Sequence, residues 1–102
     1  PLPTAVFCAN DRSAFGAIEA IHEAGLRVPD DISVVGFDDS IEARLSPVPL
    51  TTVAQPAYEM GVAAARTLIS MVEGISHPRL TVFPPKFIER ASVSRPKEAD
   101  PS

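Results

Sequence analysis

Ile32-Ser33-Val34-Val35-Gly36-Phe37-Asp38-Asp39 decides the fold of this chain. It is a short β-branched, apolar run that ends abruptly in two carboxylates. Val34 and Val35 are adjacent, so apolar side chains point to both faces, the pattern of a strand covered by helices on each side. Gly36 lets another backbone or a ligand come close. Asp38 and Asp39 fall just past the strand's carboxyl end, the edge where ligands bind in open α/β sheets. A carboxylate there can accept two hydrogen bonds from hydroxyl or amine donors. An aspartate in this position can equally serve as a helix cap or turn residue with no ligand. The pair is read as one aspartate for each task.

Working outward, Thr4-Ala5-Val6-Phe7-Cys8 is a first strand, and Asn10 or Asp11 caps the helix that follows. In that helix Ala14, Ile18 and Ile21 share one face, with Phe15 beside it, and Gly25 supplies the stop. Strand, helix and strand make a right-handed β-α-β unit with parallel strands. Ser40 to Ser46 reads as one or two helical turns, broken by Pro47-Val48-Pro49. Leu50-Thr51-Thr52-Val53-Ala54 is a third strand. Ala57 to Glu73 is the longest helix, opened near Pro56 and ended by Gly74. Its polar residues Glu59, Arg66, Ser70 and Glu73 form a narrow stripe, so it is expected to be covered on more than one side. Leu80-Phe83 and Phe87-Arg90 read as short strands around Pro84-Pro85. The whole is an α/β fold: a three-layer open, mostly parallel sheet with helices on both faces. One lobe is expected over residues 1–91, with a flexible tail over 92–102.

The chain has 102 residues, 45% of them hydrophobic, and a net charge of −4. That suits one globular domain and excludes a basic, free-standing nucleic-acid binder. The single cysteine, Cys8, lies in an apolar strand and reads as a buried thiol, which fits a reducing cytoplasm. No apolar run approaches a membrane span, and no signal peptide is visible. The opening Pro1-Leu2-Pro3, running straight into a strand, reads as part of a longer chain.

Polar residues follow each strand in matching places: Asn10-Asp11, then Asp38-Asp39, then Gln55. In a parallel sheet these ends lie on one edge. Amides and a carboxylate on one rim donate and accept hydrogen bonds but supply no strong nucleophile, so the rim reads as a binding site. No G-x-G-x-x-G or G-x-x-x-x-G-K loop is present. His22 sits mid-helix with no Cys or His at ligand spacing, so no catalytic triad, metal site or cofactor is implied. A phosphoacceptor reading of Asp38-Asp39 needs a lysine after a late strand, and no lysine occurs before Lys86.

The segments Ala9-Asn10-Asp11-Arg12-Ser13-Ala14-Phe15-Gly16-Ala17, Gly25 to Asp39, and Pro49-Leu50-Thr51-Thr52-Val53-Ala54-Gln55-Pro56 resemble the effector-binding core of the lac/gal repressor family of bacterial transcription regulators. Asp38 lies 28 positions after Asn10 (38 − 10) and Gln55 lies 17 after Asp38 (55 − 38), and both gaps match the family pattern. The resemblance runs from about Thr4 to Arg90 and covers the C-terminal lobe of a periplasmic-binding-protein-like core. It implies that Asn10, Asp38 and Gln55 contact a small effector, a sugar or nucleobase-like molecule. It also implies that Phe15 meets a second copy in a homodimer. Operator DNA would be bound only through an N-terminal domain outside this sequence. The family's sugar-clamping arginine has no counterpart here. A periplasmic sugar-transport protein is the competing reading, since the fold and rim would serve it equally.

Overall fold

The computed structural model describes residues 3–97. Its elements in order are β1 (Ala5–Phe7), α1 (Asp11–Glu23), β2 (Ser33–Val35), α2 (Ile41–Leu45), β3 (Thr52–Ala54), α3 (Ala57–Glu73) and β4 (Lys86–Ile88). The described residues divide into two compact units, one of residues 3–54 with 87–97 and the other of Gln55–Lys86.

The first unit is built on the expected β-α-β. β1 and β2 pair in parallel, with Val6 opposite Val34. The parallel run continues beyond β2, where Val35 bridges Thr51 and Gly36 N–H donates to Thr51 O at 2.9 Å. β3 in turn neighbours β4. Asn10 is the N-cap of α1, its Oδ1 accepting from Ser13 N at 2.7 Å. The helix closes at Gly25, whose φ of 78° is open to glycine without strain. Leu26 N–H reaches back to Ile21 O at 3.1 Å, which satisfies a carbonyl at the helix end.

The core of this unit is Cys8, Ala14, Val28, Val34, Ala43 and Leu50, with Val6, Ile18, Ile21 and Phe15 packed on it half-buried. Val34 is fully buried, as a doubly covered strand requires, whereas Phe7 on β1 is 67% exposed. Burial pushes the Cys8 thiol pKa up. Gly36 has a packing reason as well as a position: a Cβ there would overlap Asp11 Oδ1 and lie 2.8 Å from Leu50 Cδ2.

The start of the expected tail packs into this unit. Ser92, where a tail was expected to begin, is fully buried. Its Oγ donates to Val34 O at 2.6 Å and accepts from Thr51 N at 2.8 Å, so it joins β2 to the start of β3. A small hydroxyl can do this because it both donates and accepts. Ser94 then exchanges hydrogen bonds with Ser33. The end of the expected tail, residues 98–102, lies outside the described residues.

The second unit is α3 and the segment after it. α3 ends at Gly74, which takes the left-handed conformation at φ 72°. No residue of α3 is buried, and Tyr58, Leu68, Ile69, Met71 and Val72 are all exposed. The sequence asks for cover on more than one side, and the described residues do not provide it. Met60, Ala63, Thr67 and Met71 line only a shallow groove of ≈ 400 Å³ with Pro78, Arg79, Thr81 and Phe83. Leu80-Phe83 forms no strand, since the two prolines after it carry no N–H for a ladder.

Candidate functional site

Within the first unit the loop after β2 meets the start of α1 at a cavity of ≈ 530 Å³. Asn10, Asp11, Arg12, Phe15, Asp38, Ser40 and Glu42 line it. Two of the three rim residues expected from sequence, Asn10 and Asp38, therefore stand on one cavity wall. Gln55 follows β3 directly and is the first residue of the second unit; its carbonyl accepts from Ala57 N at 2.8 Å.

The two aspartates after β2 divide their tasks. Asp39 faces the protein: its Oδ1 is 2.6 Å from Arg90 Nη2, with only 20% and 14% of the two side chains exposed. Asp38 lines the cavity. Both have positive φ, 115° for Asp38 and 55° for Asp39, a region that non-glycine residues enter at a cost of about 1–3 kcal/mol. Consecutive backbone donors hold them there. Asp38 N–H donates to Val53 O at 2.8 Å, Asp39 N–H to Thr52 Oγ1 at 3.3 Å and Ser40 N–H to Asp11 Oδ2 at 2.6 Å.

Asp11 is the hub that the sequence offered only as a possible cap. It is 3% exposed. Its Oδ1 accepts from Thr52 Oγ1 at 2.6 Å, its Oδ2 takes the Ser40 N–H, and its own N–H donates to Phe37 O at 2.9 Å. One carboxylate thus joins α1, the loop after β2, and β3. Its charge also sits in the first turn of α1, where the helix dipole favours it.

The chemistry of the wall is that of hydrogen-bond recognition. Asn10 spends its Oδ1 on the helix cap, which leaves its NH₂ as a donor. Asp38 contributes carboxylate oxygens and Arg12 a guanidinium, a cationic donor that the sequence reading passed over. Ser40 Oγ is buried and makes no hydrogen bond among the described residues. Among the described residues no group of three or more His, Cys, Asp and Glu is placed to hold a metal ion. Among the described residues no helix is long and apolar enough to cross a membrane.

A second depression of ≈ 550 Å³ runs beside α1, lined by Phe15, Ile18, Glu19, His22, Glu23 and Ser46 to Val48. Phe15, Ile18, Pro47 and Val48 give it an apolar floor, with Glu19, His22, Glu23 and Ser46 also on its lining. Phe15 borders both depressions.

Residues 1–93 match the periplasmic binding protein-like domain family. The chain is 48% identical over 92 residues to the HTH-type transcriptional regulator MalR of Streptomyces coelicolor, covering 89% of this chain and 27% of that protein. It is 47% identical over 93 residues to the arabinose metabolism transcriptional repressor of Geobacillus stearothermophilus, covering 89% and 26%. Among solved structures, a dimeric Lac repressor with an 11-residue C-terminal deletion superposes with a TM-score of 0.88 at 36% identity, over 94% of this chain and 35% of that one. A LacI family transcriptional regulator from Lactobacillus casei with bound sucrose gives 0.77 at 35% identity, over 89% and 34%. The chain thus spans about a quarter of the length of the curated relatives it matches.

Proposed function

The chain belongs to the periplasmic binding protein-like domain family, and from that premise we propose that it is a lobe of a lac/gal-type regulator and binds the effector of a bacterial transcription repressor. The observation that carries this reading is the shared wall of Asn10 and Asp38, with Arg12 and Ser40 beside them. Such a wall offers amide, carboxylate and guanidinium groups to a polyhydroxylated guest and no nucleophile with a base. A sugar is the effector class we favour. The relative named for arabinose metabolism and the neighbour holding sucrose support that choice. Gln55, which follows β3, is proposed as a further effector contact.

The whole protein is proposed to continue into a second lobe and an N-terminal helix-turn-helix head that binds operator DNA in the cytoplasm. A second lobe would also cover the exposed apolar residues of α3. Phe15 and the apolar depression beside α1 are proposed as the contact between two copies, in keeping with a neighbour described as dimeric. The effector would act by stabilising one arrangement of the lobes over another, which alters how the dimer presents its DNA-binding heads. The names of the relatives, regulators and repressors throughout, favour this role over sugar transport.

Calorimetry of the full-length protein against arabinose, glucose, maltose and sucrose tests the assignment. Asp38→Ala should weaken binding of whichever sugar binds by about 1.5–3 kcal/mol, the scale of a hydrogen bond to a charged group. An affinity unchanged by the substitution would refute the site.

A further inference from the structure

We infer that Arg90 is a positioning residue for the effector site: through Asp39 it holds the turn that presents Asp38 to the cavity. The inference rests on the reading of Asp38 as an effector contact.

Two successive non-glycine residues at positive φ persist only where their surroundings over-determine them. The backbone donors of residues 38–40 supply part of that hold. A charged side-chain anchor of the turn is Asp39 Oδ1 on Arg90 Nη2 at 2.6 Å. Arg90 is itself fixed at two further points: its Nη1 donates to Leu50 O at 3.0 Å and its backbone N–H to Thr51 Oγ1 at 2.8 Å. Its guanidinium therefore spans a carboxylate and a carbonyl at once, which a planar fork can do and a lysine ammonium does poorly. With both side chains largely buried, the pair is shielded from the water and salt that make surface ion pairs weak. No other cation is in ion-pair contact with Asp39 among the described residues. Asp38 lies one residue away, so freeing the Asp39 side chain removes part of the hold on its φ of 115°.

The test is amide hydrogen exchange and carbon chemical shifts by NMR on the full chain, with no ligand added. Arg90→Gln and Asp39→Asn should each speed exchange at the Asp38 and Asp39 amides at least about tenfold more than at the Val34 amide. They should also move the Asp38 Cα and Cβ shifts toward those of an ordinary extended residue. The double variant should be no worse than either single one, as for partners in one interaction. Arg90→Lys should restore part of the protection. If exchange at Asp38 rises no more than at Val34, Arg90 is only a stability element and the inference fails. The same holds if Arg90→Gln does not fold and Asp39→Asn leaves the Asp38 shifts in place. Because these readouts need no effector, they can fail while the effector reading stands, and an Asp38→Ala variant with unchanged sugar affinity would do the reverse.

Discussion

Replacing Asp11 with alanine should cost about 3–5 kcal/mol of folding stability. The magnitude follows from its contacts. Thr52 Oγ1 and Ser40 N each donate to the carboxylate at 2.6 Å, and the side chain is almost fully buried. A hydrogen bond to a charged group contributes about 1.5–3 kcal/mol net, and a buried donor left without a partner is costly in its own right. A chain of this size holds roughly 5–15 kcal/mol in all, so the alanine variant would sit close to unfolding at the lower end. Asp11→Asn separates the causes. Its one oxygen can serve Ser40 N, but its NH₂ then faces Thr52 Oγ1, which already accepts from Asp39 N. Loss of about 1.5–3 kcal/mol is expected there. If Asp11 acted mainly through the dipole of α1, both variants would lose the same ~0.3–1 kcal/mol. Urea unfolding followed by circular dichroism, with m-values compared, measures the difference. Equal small losses in the two variants would refute the hydrogen-bond account.

Gly36→Ala should destabilise by at least about 2 kcal/mol, because the new methyl runs into both the Asp11 carboxylate and Leu50; a melting temperature within a degree of the parent would contradict this. The Asp31 carboxyl pKa is pushed from 3.8 down to about 2, first by its hydrogen bond from the Arg27 side chain, with Lys97 also contributing. A depressed carboxyl adds stability above its unfolded value and loses it as pH falls toward the folded one. Thermal melts should therefore show a loss between about pH 4 and pH 2 that Asp31→Asn flattens, and parallel curves for the two proteins would exclude the coupling. Phe15→Gln in the full-length protein should shift sedimentation from dimer toward monomer at micromolar concentration, while a dimer unchanged at that concentration would remove Phe15 from the contact.

The lobe was legible where a short run of residues carries its own constraint. Two adjacent valines before Gly36 mark a strand covered on both faces, and Val34 is fully buried. Asn10 and Gly25 set the ends of α1 through local hydrogen bonds and backbone freedom, which need no distant partner. Asn10 and Asp38 could be placed on one wall because parallel strands joined by a right-handed crossover must end on the same edge. What covers α3 is not legible in the same way. Apolar content states what a helix needs and says nothing about which segment meets that need.

The sequence by itself determined the α/β class, the β-α-β unit and the polar strand ends, because periodicity, caps and strand-end chemistry act over a few neighbouring residues. The family resemblance singled out Asp38 as the contact, and the tertiary structure supplied the reason that Asp39 serves the fold. Asp38 and Asp39 are alike in the chain, and the choice rests on Arg90, 51 positions further on. The same is true of Asp11 and Ser92, whose partners lie 29 to 58 positions away. A short polar side chain becomes a structural joint only when distant backbone donors and acceptors are buried beside it, and that pairing leaves no local trace in the sequence.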